Sequence, residues 1–383
     1  MQIGTNGRYL TRHKTGVERY LLNLLREFVS LKPDFRIIVY SPDELIDVEI
    51  REQLERGGVR VKTSRMPFGS YFLWFNYSLP RALYRDGVEL FYSPDYFLPL
   101  LLNQRICRSL SLYDVSFLAH PEWFSLRRRL IYMFFSRFPA RKSDSIFTCS
   151  EYSKSEIALH YRYPLDRICV LPAAVDPVFY GEGDSGFDFS LHGITSHYFL
   201  YVGTIYSRRH VVELIDAFYS LLQAKNVQDL QLVIRGRNET KPYIDIKSLT
   251  ERINSEAGRN AIIMLPTLED TELASLYRHS IGCFYLSEYE GFGLPVLESL
   301  SFGVPTVTSK VTSLPEVGGD AALYVNPSNV VEIKQVMELL YMNPDYRATL
   351  GHGAIKQAAK FSWKRTAEIL IEWLKTRYDN AHQ

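Results

Sequence analysis

Two α/β domains, each a parallel β-sheet covered by helices on both faces, are the fold class this sequence predicts. Three observations lead there. The chain has 383 residues, too many for one ordinary core and suited to two domains of typical size. Short apolar runs alternate with amphipathic helical patterns, and the alternation is played through twice, the mark of parallel sheets buried on both faces. Between the two passes, residues 181–197 (GEGDSGFDFSLHGITSH) are rich in Gly, Ser and Asp and hold no period, as an interdomain linker would.

In the first half the apolar runs 37–40, 90–92, 109–113, 145–148 and 168–171 read as buried strands. Helices are expected near 15–31, 121–141 and 153–161. The first of them places Val17, Tyr20, Leu21, Leu24, Leu25 and Phe28 at spacings of three and four, one face of a helix. In the second half strands are expected at 198–202, 230–235, 261–265, 281–286, 306–308 and 322–325. Helices fall at 208–223, 244–254, 270–277 and 293–302, then two more, then a last one over 363–378. The resulting boundaries are 1–176 for a first domain, 177–197 for the linker, 198–362 for a second domain and 363–383 for a terminal helix. Ligands of such sheets bind beyond the carboxyl ends of the strands, so two domains facing each other would enclose a cleft.

Composition narrows the function. Lys and Arg number 44 against 43 Asp and Glu, a formal net charge of +1, and no nucleic-acid-binding motif is present, so no nucleic-acid partner is expected. Cys107, Cys149, Cys169 and Cys283 show neither C-x-x-C nor zinc-ligand spacing, which reads as free thiols in a reducing compartment and no metal site. The first ten residues, MQIGTNGRYL, lack the layout of a signal peptide, and no 18-residue apolar stretch exists. A cytoplasmic protein, in peripheral contact with a membrane at most, is expected.

The most informative stretch is 287–298, SEYEGFGLPVLE. It follows an expected strand and opens an expected helix. Gly291 and Gly293 allow a tight turn and close backbone approach. The helix start offers unpaired N–H groups and a positive dipole end, which suit a pyrophosphate. Glu290 lies before the loop and Glu298 inside the helix, so the two carboxylates reach different parts of one extended ligand, and carboxylates accept from the paired hydroxyls of a ribose or hexose. The competing reading is a strand–turn–helix used for packing alone.

The full string resembles the E-x7-E signature of the retaining glycosyltransferases with two Rossmann-like domains, the GT-B fold of family 4. The likeness runs through nearly the whole chain. Thr15-Gly16-Val17-Glu18-Arg19-Tyr20 is similar to the family's glycine loop. Pro94-Asp95, Tyr113-Asp114-Val115-Ser116-Phe117 and His120-Pro121-Glu122 are similar to its acceptor-side loops. Ser150-Glu151-Tyr152-Ser153-Lys154 and Ala174-Val175-Asp176 resemble stretches that close its first domain. Tyr201-Val202-Gly203-Thr204 and Arg208-Arg209-His210 resemble the strand and basic loop that open its second. The run from Leu314 to Ala322 resembles the block after E-x7-E.

The resemblance implies a role for each matched residue. Glu298 would bind ribose hydroxyls. Glu290 and Gly291, with the backbone N–H groups of Phe292, Gly293 and Leu294, would hold donor sugar and diphosphate, beside Gly203 and Thr204. Gly16 would approach the diphosphate from the facing domain. Arg208 and Arg209 would neutralise the leaving diphosphate, the point at which charge develops when the anomeric C–O bond breaks. No Asp-x-Asp pair occurs, so no metal and no other cofactor is expected. Asp114 and His120 are candidates for orienting the acceptor hydroxyl, against local roles as a loop cap and a packed loop histidine. The sequence departs from the family at three places: Arg209 replaces a usual lysine, Tyr113 a usual histidine, and Thr204 an arginine of some members.

The acceptor should meet the first domain. Residues 65–83 (RMPFGSYFLWFNYSLPRAL) and 127–142 (RRRLIYMFFSRFPARK) combine aromatics with basic residues, which suits an anionic membrane surface or a lipid-pyrophosphate acceptor; core helices with solvated ends are the alternative. The final helix, with Trp363, Ile369, Leu370, Trp373 and Leu374, resembles the family's helix that crosses back to the first domain. The expected activity is hexose transfer, with GDP-mannose as donor and a glycan or lipid-linked acceptor in surface-polysaccharide synthesis. The competing readings are a UDP-hexose donor, a nucleotide-sugar epimerase or hydrolase on the same fold, and a non-catalytic nucleotide-sugar-binding partner.

Overall fold

The structure, a computed structural model, describes residues 1–10, 16–42, 46–180, 187–195, 197–225 and 227–382. Thr15 of the expected glycine loop, and residues 181–186 and 196 of the expected linker, lie outside the described residues. The chain divides into two compact units. One is Met1–Ala173 joined by Ser362–Gln383; the other is Ala174–Phe361.

The first unit holds β1 (Gln2–Asn6), β2 (Arg36–Ser41), β3 (Arg60–Thr63), β4 (Leu90–Ser93), β5 (Cys107–Ser111), β6 (Ser145–Thr148) and β7 (Ile168–Val170). They form one parallel sheet in the order β3-β2-β1-β4-β5-β6-β7. The second unit holds β8 (His197–Val202), β9 (Leu230–Arg235), β10 (Ile262–Leu265), β11 (Gly282–Tyr285), β12 (Thr306–Ser309) and β13 (Ala322–Val325). Its parallel sheet runs β10-β9-β8-β11-β12-β13. In both sheets the chain works outward from its first strand, then returns to that strand's other side. The strand order therefore reverses between β1 and β4, and between β8 and β11. Crevices at such reversal points, beyond the carboxyl ends, are where open α/β sheets bind ligands.

Burial explains the strands. Tyr198, Phe199, Leu200, Tyr201 and Val202 of β8 are each no more than 3% exposed, which only a central strand covered on both faces allows. The elements without an apolar run are those the pattern does not mark. β1 reads QIGTN and β3 reads RVKT, and the helix Val48–Arg56 buries only Leu54. One expected helix starts late: residues 207–209 form a 3₁₀ turn, His210 is left-handed at φ 47°, and the helix runs Val211–Lys225. No helix among the described residues is long and apolar enough to cross a membrane.

The helix Trp363–His382 packs on the first unit. The Trp363 ring meets Tyr20 edge-on, centroids 5.1 Å apart. Thr366 Oγ1 donates to the Pro172 carbonyl at 2.6 Å, and Trp373 Nε1 donates to Ser145 Oγ at 3.1 Å. Ala367, Leu370 and Leu374 are buried along the same face. Truncating Leu370 leaves a cavity, and such changes cost about 2–5 kcal/mol. Leu370→Ala is therefore expected to lower the unfolding free energy of this unit in urea by that amount, and its midpoint with it, while exposed Glu372→Ala stays within about 0.5 kcal/mol of the wild type. Equal midpoints for the two variants would show that the helix does not hold the unit together.

Candidate functional site

In the second unit, β8 ends at Gly203, whose φ is +140°. A Cβ there would sit tightly, 3.2 Å from Arg209 Nη1 and 3.4 Å from the Tyr285 ring, and the positive φ itself favours glycine. The turn Ser207–Arg209 folds Arg209 back beneath this strand end. Its Nη1 donates to the Thr204 carbonyl at 3.0 Å, and its Nε to Glu290 Oε1 at 2.8 Å. Both side chains of that ion pair are 13% exposed.

Glu290 Oε1 takes two further donors, the Tyr285 hydroxyl at 2.8 Å and Ser287 Oγ at 3.0 Å. Burial alone would push this carboxyl up. The charge and hydrogen bond of Arg209, the Tyr285 hydroxyl and the charge of Arg208 outweigh it, and the net shift is downward. Arg209 answers in kind: burial would lower its pKa, but Tyr285, Glu290 and Tyr201 raise it. The Tyr201 ring lies alongside Tyr285, and its hydroxyl donates to the Thr204 carbonyl at 3.2 Å.

Neighbouring residues clasp the same two segments. The Arg208 guanidinium stacks over Tyr206 at 4.3 Å, and the Arg208 carbonyl accepts from the Glu288 N–H at 3.0 Å. His210 lies between two carboxylates, Nε2 at 2.9 Å from Glu288 Oε1 and Nδ1 at 3.0 Å from Glu213 Oε1. Burial works against its charge, yet the two carboxylates raise its pKa above the ordinary value.

The loop after β11 is held from below by Ser313, whose Oγ hydrogen-bonds the carbonyls of Glu290 at 2.8 Å and Phe292 at 3.0 Å. The Glu290 N–H donates to Thr312 Oγ1 at 3.2 Å. Phe292 is buried against Phe361. Gly293 caps the helix Leu294–Ser301 at φ +104°, and a Cβ there would come within 2.7 Å of Leu314 Cδ2. Leu294 opens the helix, so its N–H has no intrahelical acceptor, while Pro295 has no N–H to leave unmet. Glu298 follows one turn later and accepts from the Tyr277 hydroxyl at 2.9 Å. Tyr277 is fully buried and stacked on Phe302.

The structure thus gathers Gly203, Thr204, Arg208, Arg209 and Glu290 at the carboxyl ends of β8 and β11, with Gly291, Phe292, Gly293, Leu294 and Glu298 following on the attached loop and helix. The sequence reading missed Tyr201, Tyr285, Ser287, Thr312, Ser313, His210 and Glu288 as supports. Position inside the matched segments could have pointed to Ser287, Glu288, Tyr201 and His210; nothing in the sequence marks Tyr285, Thr312 or Ser313.

The first unit carries the remaining candidates. Gly16 opens the helix Gly16–Leu31. Asp114 Oδ1 accepts from the N–H of Ser116 at 2.9 Å and from its Oγ at 2.8 Å, a side-chain turn leading into the short helix Ser116–Ala119. His120 ends that helix, stacks on Trp123 at 4.0 Å and places Nδ1 3.0 Å from Glu122 Oε1. Both residues therefore have the local partners of their structural readings. Tyr113 does not substitute for a histidine in chemistry: its hydroxyl donates to the Pro94 carbonyl at 2.8 Å and its ring packs on Tyr20 and Tyr96.

At the reversal between β1 and β4 stands a second polar cluster. The Tyr9 hydroxyl donates to Asp95, which also accepts from Ser93 Oγ at 2.9 Å and the Phe97 N–H at 3.0 Å. Burial outweighs these donors and raises the Asp95 pKa. Asn6 donates to the Tyr71 hydroxyl at 2.9 Å. Among the described residues no three His, Cys, Asp or Glu side chains gather as metal ligands.

Comparison with known proteins matches each half of the chain to a family description. Residues 188–357 match "Glycosyl transferases group 1" and residues 14–179 match "Glycosyltransferase Family 4". The chain is 30% identical over 300 residues to the O-antigen chain mannosyltransferase B of Escherichia coli, covering 76% of this chain and 75% of that one. It is 32% identical over 240 residues to the serotype-specific mannosyltransferase WbdA of Escherichia coli, where the match spans 60% of this chain and 28% of that longer protein. The Anabaena protein HepE, crystallised with UDP and glucose, superposes with a TM-score of 0.71 at 17% identity, over 98% of this chain and all of that one. The fold is GT-B.

Two outcomes follow from the ion pair and the clasp. Glu290→Gln leaves the buried Arg209 charge without its partner, a loss on the order of 3 kcal/mol. Because the folded pKa lies below the ordinary 4.5, the difference from wild type in urea unfolding should be full above that value and close as pH falls through the folded one. His210 has the opposite sign. Its raised pKa makes its stabilisation complete below the ordinary 6.5, so the gap between wild type and His210→Gln should shrink as pH rises through the folded value. A gap that widens with pH would mean that the imidazole is neutral between Glu213 and Glu288.

Proposed function

This chain belongs to the group 1 glycosyltransferases, and we propose that it moves mannose from GDP-mannose to a glycan or lipid-linked acceptor in surface-polysaccharide synthesis. The proposed transfer retains the anomeric configuration and uses no metal ion. The observation that carries the reading is the Glu290–Arg209 pair at the end of β11, beside the start of the helix Leu294–Ser301. It sets a carboxylate for sugar hydroxyls next to fixed cations and a helix start for a diphosphate. The mannosyltransferase relatives from Escherichia coli support the choice of sugar.

In this mechanism Glu298 accepts hydrogen bonds from the ribose and Glu290 Oε2 from the hexose. As the anomeric C–O bond breaks, its electron pair goes to the diphosphate, where Arg208 and the Leu294 N–H meet the new charge. Arg209, engaged with Glu290 and Thr204, acts mainly by fixing the Glu290 carboxylate. The acceptor oxygen attacks the same face of the anomeric carbon, and its proton passes to the departing diphosphate. Asp114 and His120 orient the acceptor hydroxyl. The exposed residues Arg127, Leu130, Arg137 and Phe138 of the helix Leu126–Lys142 support a cytoplasmic protein in peripheral contact with the membrane face that carries the acceptor.

A thermal-shift series with GDP, UDP, ADP and TDP and their sugar conjugates, run with EDTA, tests the donor site. A ligand at 100 times its dissociation constant adds about 2.7 kcal/mol of apparent stability. GDP and GDP-mannose are expected to raise the midpoint by several degrees, and Glu298→Ala to lose most of that rise. A rise with UDP alone would reassign the donor. No rise with any nucleotide from folded protein would overturn the transferase reading.

A further inference from the structure

The first unit contains an apolar cavity of about 350 Å³, lined by residues of that unit. Phe72, Phe75, Phe97, Leu98, Ile131 and Phe138 line it, with Arg8, Tyr71 and Asp95 on its polar side. Its wall comes from an unusual helix. Residues Tyr71–Leu73 start as α-helix, Trp74–Ser78 widen into a π turn, and Leu79–Arg85 return to α. Such π turns recur at functional sites.

Hydrogen bonds brace the wall. Trp74 Nε1 donates to Ser64 Oγ at 2.8 Å. Asn76 donates to the Phe72 carbonyl at 2.9 Å and accepts from the Leu100 N–H at 2.8 Å, tying the loop after β4 to the widened turn. These bonds fix the backbone of the wall, and apolar spaces of this kind take apolar ligands. The rim is apolar too: Phe72 is 56% exposed and Leu100 42%.

Charge decides what kind of apolar ligand fits. The exposed Arg8 guanidinium lies 3.8 Å from the centre of the Tyr71 ring; its charge reaches Asp95, but no salt bridge to it forms among the described residues. On the far side Lys142 sits 4.2 Å over Phe138, with Arg141 exposed beside it. Asp95, the acid that lines the cavity, is already engaged by Tyr9, Ser93 and Phe97. A glycan would leave its hydroxyls unpaired against Phe75, Phe97 and Leu98. A plain hydrocarbon would leave the cations unused. We infer that the cavity holds one hydrocarbon chain of a lipid phosphate, with the phosphate at Arg8. The inference rests on the transferase reading for one point only, that this chain is the lipid end of the acceptor.

Titration calorimetry on the full chain tests it, using decyl phosphate, decanol, inorganic phosphate and the two-chain dihexanoyl phosphatidate, all below micelle formation. Decyl phosphate should bind at one saturable site, and decanol at least about tenfold more weakly, the scale of one hydrogen bond to a charged group. Arg8→Gln should bring decyl phosphate to the level of decanol. Leu100→Trp, at an exposed position on the mouth, should remove both. Nucleotide thermal shifts measured on the same variants should be unchanged, which checks folding and keeps the donor reading separate: their absence from the wild type would sink the transferase proposal, not this one. Decyl phosphate bound equally by Leu100→Trp, or matched by inorganic phosphate, would overturn the cavity assignment. Equal affinity for dihexanoyl phosphatidate would mark a bilayer lipid rather than the acceptor as occupant.

Discussion

The ion pair between Arg209 and Glu290 is the constraint on which the candidate site of the second unit depends. A carboxylate buried this deeply is stable as an anion only if its surroundings supply the charge and donors that water no longer does. Here one oxygen takes Arg209, Tyr285 and Ser287 together. That concentration explains several features at once. Gly203 suits its place because its φ of +140° is one that side chains rarely adopt and the guanidinium lies close against it. The 207–210 turn must stay tight because Arg209 reaches back from it. The loop after β11 cannot drift, since Ser313 and Thr312 fasten it on the side away from the pair. The second oxygen of Glu290 has no partner among the described residues, so the pair orients a carboxylate without using it up.

The first unit builds on the same strand reversal with different chemistry. Asp95 stands beyond β4, bonded to Tyr9 of the turn that follows β1, much as Glu290 stands beyond β11. Its donors are hydroxyls and a backbone N–H, with no salt bridge among the described residues, and burial prevails over them and over the charge of Arg8. Two sheets with one topology thus hold one carboxylate as a firmly charged group and the other in a setting that resists charge. The order of strands selects where a site can be, and the side chains at the strand ends select what it can do.

Much of this was legible in the sequence. The buried strands announce themselves because both faces are covered, which writes near-continuous apolar runs such as 198–202. The signature from Ser287 to Glu298 is local, so its turn, cap and two carboxylates could be read in one stretch. What escaped is what the chain assembles across distance. Arg209 and Glu290 are 81 positions apart, and His210 and Glu288 are 78 apart; no period or spacing links them. Tyr285 reads as one more apolar strand residue, and its hydroxyl contact with Glu290 exists only once the strand ends and the loop turns back. The strand Gln2–Asn6 escaped for another reason: Thr5 and Asn6 are polar yet buried, because a strand end at a ligand crevice keeps polar groups where a packing strand would not.

The terminal helix gives the first unit an unusual position in the order of synthesis. That unit is made of two stretches of chain, and the whole of the other lies between them. As the polypeptide leaves the ribosome, the first sheet emerges with the face that Ala367, Leu370 and Leu374 later cover still open to water. The contiguous unit Ala174–Phe361 has all its strands and covering helices in hand before that face is closed. The nascent chain therefore passes through a stage in which the later-made half can be complete while the earlier-made half is still waiting for its last helix.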